Sequence, residues 1–210
     1  MIPLPERSAE RDAAITAMLP HVPFDGWSRR ALAMALADLR LPADEVELLF
    51  PGGAAEMVET FCDLADRRMI EGAQALDLAA TGLTARVRAV IALRLAQNRA
   101  HKEAVRRAIA VLALPIHARQ AAACTARTVD AIWHAAGDRS ADFSWYTKRA
   151  MLAGVYGATT LFWLRDASDD DSATLAFLDR RLAGIGRVGK LRGRAEATLR
   201  RITPSLRRSA

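Results

Sequence analysis

Residues 26–51 read GWSRRALAMALADLRLPADEVELLFP, and this stretch decides the fold. Ser28 is a side chain that commonly caps a helix N-terminus, and the residues after it predict a helix that reaches Leu39. Pro42 favours the start of a second short helix over ADEVELLF, because proline is well tolerated in a first helical turn. The Pro51-Gly52-Gly53 sequence ends that helix. The stretch therefore predicts two short helices joined by a turn.

Helical periodicity continues on both sides of this stretch. We expect a helix from about residue 10 to residue 19, then a turn over HVPFDGW at 21–27. No segment alternates apolar and polar residues with a period of two, so no strand is expected. Further helices are predicted after Gly53, after Gly82, up to Pro115, over about 119–136 and from Trp145. The helix after Gly82 carries an apolar stripe of Val87, Val90, Ile91 and Leu95. A last helix is predicted after a cap at Asp171 or Ser172.

Residues 10–62 resemble the N-terminal half of TetR-type repressors, in which a helix-turn-helix binds DNA. The resemblance implies an all-α, TetR-like helical bundle with an N-terminal helix-turn-helix-like three-helix unit. The helix that would enter the major groove holds Asp44, Glu45 and Glu47 and no Lys or Arg. Since neutralised phosphates supply most non-specific affinity, these acids argue against a nucleic-acid partner. We expect the unit to serve packing or dimerisation, and a TetR-type regulator sensing an apolar ligand is the alternative.

Composition is that of an ordinary globular protein. The chain has 210 residues, of which 51% are hydrophobic and 26% charged. The sequence has no run of 18 apolar residues, so no transmembrane helix is expected. The N-terminal MIPLPERSAERDAA lacks the apolar core of a secretory signal, so none is expected. We predict three units: the helix-turn-helix-like unit at 1–52, a helical lipid-binding and dimerisation bundle at 53–183, and a basic amphipathic helix at 184–210.

Residues that could carry chemistry are sparse. Cys62 and Cys124 lie far apart in the sequence, and each is expected to be a buried apolar residue. Neither Cys-x-x-Cys nor Glu-x-x-His occurs, so no metal site and no cofactor are predicted. His134 and Asp138 could share a helix face, but a catalytic pair needs a third group and none is evident. The sequence therefore predicts a protein that is not an enzyme.

A long motif lies in the C-terminal half of the chain. Residues 133–152 follow the pattern WH-x-A-GD-x-S-x-DF-x-WYT-x-RAML, and matching residues continue through Tyr156, Asp166-Ala167-Ser168, Thr174 and Phe177-Leu178. The segment 128–182 resembles the core signature of the coenzyme Q biosynthesis accessory family, the ninth member of that set. The resemblance covers about a quarter of the chain closely.

This resemblance implies a TetR-like homodimer that binds isoprenoid lipid in an interior apolar pocket. It also implies a C-terminal helix that meets the membrane, and assistance to the di-iron demethoxyubiquinone hydroxylase. Adjacent aromatics on a helix point about 100° apart, so Trp145 and Tyr146 cannot both face one core. The alternative is that Trp145 packs in the core and Asp142 only caps the helix. Partner-binding residues expected by position are Asp142, Trp145, Tyr146, Arg149 and Trp133.

An isoprenoid tail needs a dry space between helices. Alanine-rich helices over 83–95, 109–114 and 151–164 could leave such a space. A tightly packed core fits the same pattern, and the ligand itself, an isoprenoid quinone or precursor lipid, is implied by the resemblance. The predicted lipid-binding residues are Val90, Leu112, Met151, Leu152, Val155, Phe162 and Trp163.

The last residues are strongly basic. Residues 180–210 hold ten Lys and Arg against one acid, a net +9, so the rest of the chain carries −3 of the total +6. An apolar stripe beside a cationic face is typical of a helix lying on an anionic membrane surface. The stripe could instead pack on the protein's own core, or the tail could bind nucleic acid. The predicted membrane-binding residues are Ile185, Val188, Lys190, Leu191, Arg194, Leu199 and Ile202.

Together these features predict a non-catalytic, lipid-binding accessory protein of ubiquinone biosynthesis. It would hold isoprenoid quinone precursors at the membrane surface and present them to the demethoxyubiquinone hydroxylase. The expected location is the cytoplasm, at the inner face of the cell membrane, which corresponds to the matrix side in mitochondrial relatives.

Overall fold

The computed structural model describes residues 4–42, 45–78, 80–138 and 145–184. Every regular element in these ranges is helical, which confirms the all-α prediction. Short 3₁₀ turns at Arg99–His101 and Pro115–His117 precede two of the helices. The helices are α1 Ala9–Met18, α2 Val22–Asp25, α3 Arg29–Asp38, α4 Glu45–Leu49, α5 Ala54–Gln74, α6 Leu83–Gln97, α7 Lys102–Leu112, α8 Ala118–Ala135, α9 Trp145–Trp163 and α10 over residues 172–184.

Side-chain caps set the starts of two N-terminal helices. The Ser28 hydroxyl accepts a hydrogen bond from the Ala31 amide at 3.2 Å, which confirms Ser28 as the cap of α3. Ser8 caps α1 in the same way. The prediction of a plain turn over residues 21–27 is wrong, because residues 22–25 form one helical turn, α2. Pro23 favours that helix start, and Gly26 ends it at φ 71°, a backbone angle that suits glycine.

Two hydrophobic cores are joined by α5. The first core packs α1, α3 and α4 against the N-terminal half of α5 and against α7. Within it the Trp27 indole donates to the Ala104 carbonyl at 3.0 Å, and its ring lies 5.1 Å from that of Phe61. The second core joins the C-terminal half of α5 to α6, α8, α9 and α10. The 21-residue α5 is therefore the wall that both cores share.

The start of α10 is capped by a carboxylate that lies several residues before the helix. The Asp166 carboxylate accepts hydrogen bonds from the amide and the hydroxyl of Thr174, at 2.9 and 2.6 Å, and from those of Ser168. Helix α10 begins at residue 172, as predicted, but the capping carboxylate belongs to Asp166 rather than to Asp171 or Ser172. Asp171 adopts φ 55°, and its side chain binds Arg99 and Lys102 instead.

Helices α7 and α8 meet at a sharp corner. Within the described ranges, no single helix has both the length and the apolar character required to cross a bilayer. Residues Arg99–Leu112 and Pro115–Ala135 meet that standard only as a pair, joined across a 91° bend. The corner carries two exposed apolar side chains, Leu114 and Ile116.

Candidate functional site

Helices α5 to α9 enclose a cavity of about 260 Å³. Small residues create it: a β-carbon added at Gly157 would meet no atom within 4 Å, so open space lies in front of this glycine. Leu161 lines the cavity and is 54% exposed, which places it at the opening to solvent. The apolar part of the lining comprises Phe61, Ala65, Leu95, Val105, Ala108, Ile109, Leu112, Gly157, Leu161 and Trp163.

One wall of the cavity is polar. Arg94 of α6 is 6% exposed, and its Nη1 lies 2.7 Å from Oδ1 of the equally buried Asp66 on α5. Its Nε donates to the Tyr156 hydroxyl of α9 at 2.8 Å. Thr128 of α8 donates to the second Asp66 oxygen at 3.0 Å. Residues of four helices, α5, α6, α8 and α9, thus form one buried network beside the apolar space.

Burial and the neighbouring charges shift the pKa values of the groups in this network. Burial raises the pKa of Asp66 above its ordinary value, although Arg94 and Thr128 act in the opposite direction. Burial alone would lower the pKa of Arg94, but the nearby Asp66, Tyr156 and Cys62 outweigh it and raise that pKa. Arg94 therefore stays protonated and acts as a hydrogen-bond donor at any physiological pH.

The two cysteines meet in the cavity wall. Cys62 of α5 and Cys124 of α8 both line the cavity, and a guanidinium nitrogen of Arg127 lies 3.4 Å from the Cys124 sulfur. The contact with Cys124 and burial raise the pKa of Cys62 well above its usual range. The contact with Cys62 lowers the pKa of Cys124, and the Arg127 charge also lowers it. Sequence spacing gave no sign of this pair, because packing of α5 on α8 brings the thiols together.

A second, wider groove of about 1070 Å³ runs between α5, α8 and the N-terminal half of α9. Tyr146 and Arg149 line it, and Tyr146 is 79% exposed. Arg149 donates through its Nε to the Asp130 carboxylate of α8. At the α5 side, burial acts to raise the pKa of Asp63, but ion pairs with Arg7 and Arg67 hold it below its ordinary value.

The sequence profile of the COQ9 family matches residues 118–189. The "Ubiquinone biosynthesis protein coq9, mitochondrial" of Schizosaccharomyces pombe is 30% identical over 174 residues, which cover 83% of this chain and 69% of the relative. The chain belongs to the COQ9 family. The rat protein of the same family, "Ubiquinone biosynthesis protein COQ9, mitochondrial", is 30% identical over 191 residues. This chain spans 61% of the rat relative and 57% of a Xenopus laevis one.

The TetR-like fold prediction is also confirmed. A TetR transcriptional regulator from Nitrosomonas europaea ATCC 19718 superimposes with a TM-score of 0.67 at 24% sequence identity. The match covers 84% of this chain and 97% of that regulator. It establishes that this COQ9-family chain shares the regulator's helical architecture.

Two ion pairs engage arginines of the helix-turn-helix-like unit in this COQ9-family chain. Glu47 of α4 forms an ion pair with Arg29 of α3 at 2.8 Å, and Arg30 pairs with Asp25 at 3.1 Å. Asp44 lies outside the described residues. Arg29 and Arg30 are thus engaged with carboxylates of the protein.

The predicted lipid-binding residues fall into three groups. Leu112 and Trp163 line the cavity. Val90, Leu152 and Val155 are buried in the second core, where they pack between helices. The remaining two lie away from the cavity, since Met151 is half-buried and Phe162 stacks on Phe177 with ring centroids 4.6 Å apart. The polar wall residues Arg94 and Tyr156 were not predicted, although Tyr156 belongs to the COQ9 signature.

The predicted partner residues are only partly described. Tyr146 and Arg149 share the wide groove, as expected for one surface. Trp133 faces a different, smaller groove, which Leu83, Leu152 and Leu182 also line. Asp142 lies outside the described residues, and Trp145 begins α9 with only its backbone described. All predicted membrane-binding residues, from Ile185 to Ile202, lie outside the described residues as well.

Within the described ranges, no three His, Cys, Asp or Glu side chains converge as a metal site would require. Of the described acids, Asp66 is tied to Arg94 and Thr128, and Asp171 to Arg99 and Lys102. The cavity offers a bound molecule mainly apolar contact, with a few hydrogen-bonding groups on one wall.

Proposed function

We propose that this COQ9-family chain is a lipid-binding accessory protein of ubiquinone biosynthesis. It holds an isoprenoid quinone or its precursor in the cavity between α5 and α9, and it presents the lipid to the demethoxyubiquinone hydroxylase without itself making or breaking bonds. The family membership supports the pathway, since the relatives are named as ubiquinone biosynthesis proteins. A homodimer at the matrix or cytoplasmic membrane surface is part of the same proposal.

The observation that carries this proposal is the apolar cavity with one polar wall. Sites for small molecules are mostly apolar, with a few placed polar groups that fix orientation. At about 260 Å³ the cavity is smaller than a site that encloses a whole drug-sized ligand, which takes roughly 300–1,000 Å³. It accommodates a substituted ring and the first part of a chain, while the rest of the tail leaves past the exposed Leu161.

The wide groove is the proposed contact surface for the hydroxylase. An exposed tyrosine beside an arginine has the composition of an interface hot spot, and Tyr146 and Arg149 lie one helical turn apart on α9. The pairing of Arg149 with Asp130 holds the guanidinium in place before a partner arrives. Pre-ordered side chains lose less entropy on binding than mobile ones.

The C-terminal segment 185–210 is the proposed membrane contact. Its sequence combines an apolar stripe with a cationic face, and each Lys or Arg close to an anionic surface contributes about 1 kcal/mol. Several such residues give reversible attachment, which suits a protein that takes lipid from a bilayer and passes it on.

The proposal excludes operator binding by the helix-turn-helix-like unit. Glu45 and Glu47 on α4 would face phosphates, and Arg29 is already paired with Glu47. We expect no sequence-specific shift of its own upstream DNA in a gel-retardation assay at 150 mM salt. A specific shift that persists at this salt concentration would favour the TetR-type regulator instead.

Two glycines on α9 allow a matched test of the cavity. Gly157→Leu places a side chain in the open space of the cavity, whereas Gly154→Leu places the same side chain at an exposed position of the same helix. Both changes favour the helix by roughly 1 kcal/mol, so weaker binding would not reflect unfolding. Affinity for ubiquinone-2 is measured by displacement of the fluorescent dye 1-anilinonaphthalene-8-sulfonate.

We expect Gly157→Leu to weaken ubiquinone-2 binding at least tenfold and Gly154→Leu to leave it unchanged. The proposal fails if the wild-type chain does not bind ubiquinone-2, or if both leucine variants bind it as the wild type does.

A further inference from the structure

The hydroxyl proton of Tyr156 is not donated in a hydrogen bond to any of the described residues. Arg94 Nε lies 2.8 Å from the Tyr156 oxygen. Because a guanidinium has only donors, the tyrosine oxygen must accept in this bond, and its own proton points elsewhere. Among the described residues, the Tyr156 hydroxyl makes no hydrogen bond other than the one that it accepts from Arg94. The unused donor belongs to a residue that lines the cavity.

The other hydroxyls in the cavity wall are already engaged. Thr160 donates to the Tyr156 carbonyl at 2.9 Å, and Thr125 donates to the Ala121 carbonyl at 2.9 Å. Thr128 donates to the Asp66 carboxylate. Tyr156 is therefore the hydroxyl of the described cavity wall that remains able to donate to a guest molecule.

The network behind Tyr156 both places and strengthens this donor. Asp66 anchors Arg94 from one side at 2.7 Å, so the guanidinium and the phenol oxygen that it binds have fixed positions. A hydrogen bond from a cation polarises the hydroxyl that accepts it, which makes its remaining proton a better donor. In a largely apolar cavity a ligand oxygen gives up its hydrogen bonds to water, so a neutral oxygen acceptor on the ligand gains from such a donor.

We infer that Tyr156 orients the ligand, donating its phenol proton to a carbonyl or ether oxygen on the ring of an isoprenoid quinone. The ring then lies against Arg94 and the two cysteines, and the prenyl chain runs past Leu112 toward Leu161 at the opening. This inference rests on the proposed function and deepens it, because it names the side chain that binds the ring.

The test compares binding of a ligand that has a quinone ring with binding of one that is only an isoprenoid chain. Ubiquinone-2 carries ring oxygens, whereas farnesene is an isoprenoid hydrocarbon with no oxygen. Both are titrated against the full chain by dye displacement, with Tyr156→Phe as the variant. The control is Thr159→Val, which removes a buried hydroxyl from the same helix at a position outside the cavity lining, where Thr159 donates to the Val155 carbonyl.

We expect Tyr156→Phe to weaken ubiquinone-2 binding about tenfold, the effect of one lost hydrogen bond to a neutral acceptor, and to leave farnesene binding unchanged. Thr159→Val should bind both compounds as the wild type does. If Tyr156→Phe keeps wild-type affinity for ubiquinone-2, or loses affinity for both compounds equally, the inference is wrong. If the wild type binds neither compound, the proposed function itself fails.

A vibrational measurement gives a second readout that does not depend on affinity. A hydrogen bond to a quinone carbonyl lowers its infrared stretching frequency. Bound ubiquinone-2 should show a lowered carbonyl band in the wild type and in Thr159→Val, and an unshifted band in Tyr156→Phe. The same band position in wild type and Tyr156→Phe would overturn the inference.

Discussion

Arg94 of α6 and Asp66 of α5 form an ion pair, 2.7 Å between Nη1 and Oδ1, with both residues 6% exposed. The pair lies where the second core meets the cavity, and with Thr128 and Tyr156 it joins four helices, α5, α6, α8 and α9. Such a pair is strongly destabilising to break, because one charge is then left buried without a partner. The pair therefore holds the polar wall of the cavity in a fixed position.

Asp66→Ala should lower the free energy of unfolding by about 3–5 kcal/mol, measured by urea denaturation, since it leaves the Arg94 charge without its carboxylate. Replacing both residues together, as Asp66→Leu with Arg94→Met, should recover most of that loss, because no buried charge remains. Additive losses in the double variant would show that the two residues do not act as a pair.

Asp166 gives the chain an acid-sensitive helix cap. Hydrogen bonds from Ser168 and Thr174 hold the pKa of Asp166 well below its ordinary value. A depressed carboxyl pKa stabilises the fold above its unfolded value of about 3.9, and this contribution is lost as the pH falls below that value. Asp166→Ala should therefore cost about 1 kcal/mol at pH 7, with a difference from wild type that shrinks by pH 3.

The control for this measurement is Asp169→Ala, which removes an exposed neighbouring carboxylate whose side chain makes no hydrogen bond to the described residues. It should unfold like the wild type at both pH values. A constant Asp166→Ala deficit between pH 7 and pH 3 would contradict the assigned cap.

The two cysteines should become reactive at different pH values. Because the pKa of Cys124 is lowered and that of Cys62 is raised, the rate at which iodoacetamide alkylates Cys124 should rise at a lower pH than the rate for Cys62. Mass spectrometry of the labelled peptides gives both rates. Arg127→Gln removes the cation beside Cys124 and should move the rise in its labelling to higher pH. A rise for Cys62 at a lower pH than for Cys124 would contradict the assigned pKa directions.

Tyr146→Ala should reduce association with the demethoxyubiquinone hydroxylase by at least tenfold, measured by biolayer interferometry. Its side chain is 79% exposed, so the free energy of unfolding should change by less than about 0.5 kcal/mol. Phe24→Ala is the matched control, because Phe24 is an equally exposed aromatic residue on α2, outside the groove. Equal binding by the two variants would remove the groove from the proposed interface.

Removing residues 185–210 should abolish co-sedimentation with vesicles that contain anionic lipid. The full chain should co-sediment at 50 mM salt and largely dissociate at 500 mM, because salt screens the attraction between its cations and the lipid headgroups. Vesicles of neutral phosphatidylcholine are the control and should retain little of either form. Equal retention of the truncated chain would place the membrane contact elsewhere.

Local signals were sufficient to predict the helices. Ser28, Pro42 and the Pro51-Gly52-Gly53 break each act on adjacent backbone, so they could be interpreted without knowledge of the tertiary structure. The single turn of α2 was missed, because a four-residue helix leaves too little periodicity to be recognised. The cap of α10 was assigned to the adjacent residues, while the structure uses Asp166, which is eight residues from Thr174.

The cavity wall depends on contacts between distant segments, which sequence periodicity does not encode. Cys62 meets Cys124, and Arg94 meets Tyr156, which is 62 positions later in the sequence, because α5, α6, α8 and α9 pack around one space. Apolar stripes show which face of a helix is covered, but not whether the covering is tight. The stripes therefore could not distinguish Val90 and Leu152, which lie away from the cavity, from Leu112 and Trp163, which line it.

Phe61 belongs to the first core and also lines the cavity, and Trp27 lies against it while binding the backbone of α7. The helix-turn-helix-like unit thus supports one side of the cavity from outside. A variant shortened to residues 53–183 would lose this support, so the cavity and the unit should persist or collapse together. This dependence gives the helix-turn-helix-like unit a structural role that requires no contact with DNA.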